Sequence, residues 1–309
     1  MAKPVFVIGA AIMDLMGFPM VAPSPKDSTP GYVERAPGGV GRNLAENLVR
    51  LGMHTELITA FGDDQMGKEL VKHCQQAEIG IRHSLVAEGF PTAMHLAVLN
   101  EKKDLHAGVA DLRVLEHLTP RYLQKQQEAL ADARTLVLET NVPPEAIDWL
   151  LEPEHEWEAP LYLDPVSVYL AERVRSKLGR FHTIKANRQQ AEALIGRPLT
   201  RPADLEAAAQ AWIKLGVRRV FITLGEGGAF AANIDRTVHL SALQVKVANT
   251  TGAGDAFLAG VIWATLRNWP LDDCCRAGLA AATISVRSAT AISADLSEAS
   301  LLEYIRKYC

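Results

Sequence analysis

Short β-branched runs alternate with helically spaced apolar positions along the chain. "VFVIGA" (5–10), "TELITA" (55–60), "TLVLE" (135–139), "LYLD" (161–164), "HTIKA" (182–186) and "VFITL" (220–224) are near-continuous apolar runs. That is the pattern of parallel strands buried on both faces. Between them, Leu44, Leu48 and Leu51 recur at i, i+4 and i+7 and predict a helix over 42–51, which Gly52 stops. Pro202 precedes a second helix over 203–215, striped by Leu205, Ala208, Ala209 and Trp212 and followed by Gly216. This alternation predicts a three-layer α/β/α, doubly wound, mostly parallel sheet.

Two stretches break the rhythm. Residues 12–37 hold Pro19, Pro23, Pro25, Pro30 and Pro37 and no helical period. Residues 92–109 read as two strands joined by a polar turn around "NEKKD". Both are expected to leave the main sheet and pair as a small β lid. After "TLGEGG", "AFAAN" and "TVHLSAL" read as a hairpin with "IDR" at its tip. With no repeat, low-complexity tract or linker, one domain over 1–309 with an inserted lid is expected.

Composition adds limits. Apolar residues make up 48% and charged residues 22% of 309 positions, enough for a sizeable core. A net charge of −4 leaves no basic footprint, so nucleic acid is not an expected partner. Cys274 and Cys275 are adjacent and Cys74 and Cys309 isolated, with no C-x-x-C pair. That suggests reduced thiols in a cytoplasmic protein. The first residues faintly resemble a signal peptide, but Asp14 interrupts them and no apolar run reaches transmembrane length. A buried first strand, and no membrane, is the expectation.

Three glycine clusters carry candidate chemistry. In "NTTGAGDAF" (249–257), Gly252 and Gly254 let backbone N–H groups point into one concavity, backed by a helix N-terminus. That arrangement suits a phosphate. Asp255 in the first turn is a candidate acceptor for a hydroxyl proton during phosphoryl transfer. The same residues also read as a helix cap. "PGGVGRN" (37–43) again runs from a glycine turn to a helix start, with Gly38 and Gly39 open to a ligand and Asn43 able to bond a hydroxyl. "TLGEGG" (223–228) follows a strand, where ligands bind in open α/β sheets, though a hairpin turn reads equally well. Asp14 stands out as a carboxylate closing the first apolar strand. Asn141, before Pro143 at the end of the third strand, carries an amide that can donate to and accept from a ligand in the crevice, or it starts a turn.

Other patterns fail. "GDDQMGKE" (62–69) has P-loop spacing, but Glu69 stands where Ser or Thr should reach magnesium and Asp63 and Asp64 would repel phosphates. No G-x-G-x-x-G occurs, and the nine histidines have no metal-ligand spacing.

Together, "GGVGRN", "KANRQQAE", "TLGEGG" and "NTTGAGDAF", in that order, resemble the motifs of the ribokinase-like (PfkB) carbohydrate and nucleoside kinases over essentially the whole chain. "APGGVGRNLAENLVRLG", "YLDPVSV" (162–168), "HTIKANRQQAEALIG" (182–196) and Asn249 most resemble members acting on pseudouridine. Other acceptors in the family are ribose, purine nucleosides, fructose and keto-deoxy sugar acids. A binder that keeps the fold without the chemistry is the rival from another class.

The resemblance implies ATP and Mg2+, and a 5′-hydroxyl acceptor. It implies Asp255 as the base and the amides of Gly252, Ala253 and Gly254 as an anion hole. Asp14, Gly38, Gly39 and Asn43 would bind the sugar. Asn187, Thr223, Gly225 and Gly228 would lie along ATP, and "LAAATISV" (279–286) beside adenine. Gln190 stands where the family has a glutamate that organises the magnesium's water, so no side chain is expected to ligate the metal directly. Glu192, two residues on, is turned roughly 200° away on a helix. Asn249 replaces an aspartate, which puts a potassium site in doubt. Independently of the resemblance, a lid with exposed strand edges would be covered by a partner's lid, which suits a homodimer.

Overall fold

The computed structural model describes residues 3–23, 26–100 and 105–308. Part of the turn expected around "NEKKD", residues 101–104, lies outside the described residues, as do Pro25 and Cys309. In chain order the first strands are β1 (Val5–Ile8), β2 (Ile12–Pro19), β3 (Gly31–Gly38), β4 (Thr55–Ile58), β5 (Ala60–Gly62), β6 (Leu85–Ala87), β7 (Met94–Leu99) and β8 (Leu105–Asp111). Then come β9 (Thr135–Glu139), β10 (Leu161–Asp164), β11 (Thr183–Asn187), β12 (Arg219–Thr223), β13 (Ala229–Ala232) and β14 (Thr237–Leu240).

The apolar runs form one eight-stranded sheet, ordered β14-β13-β12-β11-β10-β9-β1-β4. Pairing from β4 to β12 is parallel, and the expected hairpin adds β13 and β14 antiparallel at one edge. Alternate residues of β1 feed two separate cores, Phe6 and Ile8 on one face and Val5 and Val7 on the other. Hydrophobic packing on both faces is what makes the fold three-layered. Helix Pro202–Lys214 lies close to its expected span, with Pro202 as its first residue rather than preceding it. Helices Ala253–Thr265 and Leu271–Val286 pack closely, because a side chain at Gly260 would collide with the Ala277 carbonyl.

β1 ends at Ile8, and Asp14 does not close it. The chain bends at Gly9, which lies against the Glu139 carboxylate and leaves no room for a side chain. Asp14 therefore falls inside β2, opposite Ala36 of β3 and His95 of β7. These strands form a second sheet, ordered β3-β2-β7-β8, built from the two stretches that broke the sequence rhythm. Tyr32, Val33, Leu96 and Val109 on this sheet are exposed, and Tyr32 stacks on Phe18 at 5.0 Å. The "GDDQMGKE" segment is a helix start: Asp64 caps helix Gln65–Gln76 by accepting from Gly67 N–H at 2.8 Å. Among the described residues no helix is long and apolar enough to cross a membrane.

Candidate active site

Helix Val40–Arg50 starts at Gly39, whose φ of 94° only glycine adopts readily. A side chain at Gly39 would also strike the Ala10 carbonyl, and one at Gly38 the Asp14 carboxylate. These glycines thus serve the close approach of the chain to itself, more directly than that of a ligand. Arg42, almost wholly buried, clamps the turn: Nε donates to the Gly38 carbonyl at 3.1 Å and Nη2 to that of Pro37 at 3.0 Å. Its Nη1 donates to Glu46 Oε2 at 2.7 Å, and Nη2 also bonds Asn43 Oδ1.

That last bond orients the Asn43 amide, whose Nδ2 then donates to Asp255 Oδ2 at 2.8 Å. Asp255 sits in the first turn of helix Ala253–Thr265, capped by Gly252 at φ 80°. Ala253 N–H turns back to the Thr250 carbonyl at 3.3 Å. The first i→i−4 bond of the helix is Ala256 N–H to Gly252, at 2.9 Å. The amides of Gly254 and Asp255 precede it and have no intrahelical acceptor.

Asp255 is 7% exposed, and its pKa is pushed up to about 7. Burial is the main cause and the nearby Asp164 carboxylate the second; Lys185, Asn43 and Arg42 oppose them. Asp164, the last residue of β10, and Lys185, in the middle of the adjacent β11, form a buried ion pair at 2.8 Å. A Cβ added to Gly254 would stand 2.7 Å from Lys185 Nζ, so the ammonium lies against the glycine turn.

Glu139, at the end of β9, is fully buried with its pKa pushed up to about 8, chiefly by burial. It accepts from the backbone of Ala10 and, through Oε2, from both the backbone N and the Nδ2 of Asn141 at 2.9 and 2.8 Å. The donor end of Asn141 is thus engaged and its carbonyl oxygen remains. Asn141 lines a cavity of about 570 Å3 with Leu112, Arg113, Pro143, Leu170 and Arg173. A larger one, about 650 Å3, is lined by Trp157, Pro160, Phe181 and Arg218. It sits at the amino-terminal ends of β10 to β12, away from the carboxyl ends where ligands bind in such sheets.

Asp14 has a raised pKa, from burial first, with His95 and Arg42 opposing. Asn187 and Thr223 are paired in register at the ends of β11 and β12, beside Gly225 and Gly228. Asn187 also caps helix Arg188–Ile195, and both ends of the Gln190 amide are engaged. Oε1 accepts from Asn187 N–H at 2.7 Å and Nε2 donates to the Val166 carbonyl at 2.7 Å. Of "LAAATISV", only Ala282 and Val286 are partly exposed; the rest pack in the core. Among the described residues no three His, Cys, Asp or Glu side chains converge as metal ligands.

The glycine turns, Asn43 and Asp255 were anticipated from sequence. Arg42, Glu139, Asp164 and Lys185 were not, although each is a charge inside a motif or at the end of an apolar run.

Comparison with known proteins agrees with this arrangement. The pfkB family carbohydrate kinase profile matches residues 2–298. The chain is 30% identical over 302 residues to the pseudouridine kinase of Escherichia coli, covering 97% of this chain and 96% of that one. It is 27% identical to the pseudouridine kinase of Arabidopsis thaliana, over 91% and 90% of the two. A carbohydrate kinase from Agrobacterium tumefaciens superposes with a TM-score of 0.85 at 27% identity, covering 98% of this chain and 97% of that one.

Proposed function

We propose that this chain, which belongs to the pfkB carbohydrate kinase family, transfers the γ-phosphoryl group of ATP to the 5′-hydroxyl of a ribosyl substrate, pseudouridine foremost. It is a phosphotransferase acting on a sugar or nucleoside. The observation that carries the finer reading is the bond from Asn43 to Asp255, which joins the two glycine-turn helices at one buried carboxylate.

In this reading Asp255 takes the hydroxyl proton as the 5′-oxygen attacks, and the amides of Gly252 and Gly254 hold the phosphoryl oxygens, joined by that of Ala253 as it leaves its long bond to the Thr250 carbonyl. Asn43, held by Arg42, keeps Asp255 aimed. Asp14, Gly38 and Gly39 take up the ribose hydroxyls. Asn187, Thr223, Gly225 and Gly228 line the path of ATP across the ends of β11 and β12. Magnesium would ride on the β- and γ-phosphates and neutralise their charge. Gln190 Oε1 already accepts from Asn187 N–H, and its second lone pair would bond a water of the hydrated ion.

Pseudouridine carries its uracil on a C–C bond, so the exposed base edge has a ring N–H that uridine lacks. Asn141, its donor held by Glu139, presents an acceptor to such an N–H. An unpaired buried partner costs about 1–3 kcal/mol, so uridine should react roughly tenfold or more slowly. The test is ATP consumption with pseudouridine, uridine, adenosine, ribose and fructose. Preference for pseudouridine, narrowed by Asn141→Ala without loss of ATP affinity, supports the reading. Equal kcat/KM for uridine, or faster turnover of ribose or fructose, refutes it.

The β3-β2-β7-β8 sheet acts as a lid that excludes water from the transfer. Its exposed Tyr32, Val33 and Val109 on the edge strands β3 and β8, with Leu96 on β7, are covered by a second copy in a cytoplasmic homodimer. Light scattering that gives a monomer at micromolar concentration refutes the dimer.

A further inference from the structure

We propose that Lys185 is a further catalytic residue of the transfer: its ammonium swings from Asp164 onto the γ-phosphoryl group as that group arrives over Gly254. The inference rests on the kinase reading above and adds to it a residue that none of the glycine motifs supplies.

Inside the molecule, Lys185 Nζ donates to Asp164 Oδ2 at 2.8 Å. An ammonium carries three donors. The Nζ lies against Gly254, close enough that a methyl group there would be 2.7 Å away. Lys185 and Asn187 stand two residues apart on β11 and so share a face of the strand. The positive charge therefore sits where the ATP path meets the helix N-terminus that carries Asp255. A structural ion pair has no need of that place. A glycine at 254 leaves open the space between the ammonium and the turn.

The step balances without a further reactant. The 5′-oxygen forms a bond to phosphorus as the bond from phosphorus to the β–γ bridging oxygen breaks. ADP leaves with the bridging electron pair, and the hydroxyl proton passes to the Asp255 carboxylate. Negative charge spreads over the equatorial oxygens meanwhile, and Lys185 bonds one of them. Asp164, relieved of its partner, stays anchored by Val166 N–H at 2.9 Å.

Removing Lys185 alone would strand the Asp164 charge and threaten folding. The test therefore uses Lys185→Met combined with Asp164→Asn, which keeps an acceptor for Val166 and leaves no unpaired charge. Calorimetry with Mg-ATP and Mg-ADP is the first measurement. ATP affinity should fall about tenfold or more while ADP affinity stays nearly unchanged, since a charge-assisted hydrogen bond to the γ-phosphate is lost. This comparison needs no acceptor, so it reads Lys185 separately from the ribosyl screen. Steady-state kinetics with the accepted substrate is the second, where kcat should fall about 10²–10³-fold with the acceptor KM little changed. A folded double variant with kcat near wild type, or with equal losses for ATP and ADP, overturns the proposal.

Discussion

Asn43 Nδ2 donates to Asp255 Oδ2 at 2.8 Å, bridging 212 positions of chain. Two helices that start at glycine turns therefore meet at a single carboxylate. Its protonation is the first property to test.

Asp255→Asn keeps the bond to Asn43 and removes the proton acceptor. Turnover should drop roughly 10²–10⁴-fold while ATP still binds. In the wild type, the base must be ionised, and its pKa is pushed up to about 7. The pH profile of kcat/KM should then fall on the acid side, to about a tenth of its plateau one unit below that pKa. A profile flat from mildly acid to mildly alkaline pH would exclude Asp255 as the base.

Stability should move the opposite way. Asp255 and Glu139 are pushed up to about 7 and about 8, far above the values of about 4 they regain on unfolding. Between those values the folded chain holds protons that the unfolded chain has released. Their contribution is full at low pH and is lost as pH rises through 7 and 8. His182, lowered to about 4 by burial and then by Arg219, works against this only below its unfolded value near 6.5. Urea unfolding from about pH 6.5 to 8.5 should therefore give a falling midpoint, and Asp255→Asn should flatten the lower part of the decline. A rising wild-type midpoint would contradict the burial of both acids.

Glu46 is the buried partner of Arg42, and it also accepts from Arg50 at 2.9 Å. Glu46→Ala leaves the Arg42 charge inside the protein without its carboxylate. A loss of about 3–5 kcal/mol is expected in chemical denaturation. Activity should fall with it, because Arg42 holds the Pro37 and Gly38 carbonyls and orients Asn43. A change under about 1 kcal/mol would mean that solvent reaches the guanidinium.

Asn249 accepts from Thr251 N–H at 2.9 Å and donates to the Ala289 carbonyl at 3.1 Å. The side-chain amide thus ties two loops together without a carboxylate. Exchanging sodium for potassium should leave the rate nearly unchanged. Asn249→Asp cannot donate to Ala289 and should loosen the loops, which hydrogen exchange of 288–293 would report. A strong potassium activation of the wild type would show that the amide does not substitute for a cation.

The fold was legible where burial writes itself as composition. The six apolar runs each hold a strand of the main sheet, because both faces of a parallel strand need apolar side chains. The bend after Ile8 was invisible, since Ala10, Ala11, Ile12 and Met13 go on being buried beyond it. Hydropathy therefore ran two strands together and misplaced Asp14. The glycine turns and Asp255 could be read because their spacing is local. Lys185 and Asp164 lie in separate strands, and only the register of the sheet reveals that they meet. Gln190 looked like a lost charge in the sequence. In the structure its amide bonds the Val166 carbonyl, which a carboxylate could not do.

The long chain interval between Asn43 and Asp255 has a consequence for synthesis. A ribosome adding roughly 5–20 residues per second needs about 10–40 s to pass from one to the other. The nascent chain has its first glycine turn long before helix Ala253–Thr265 emerges. Until then the Asn43 amide lacks its Asp255 acceptor. The bond between Asn43 and Asp255 is therefore among the late contacts of the fold, made only after helix Ala253–Thr265 has docked.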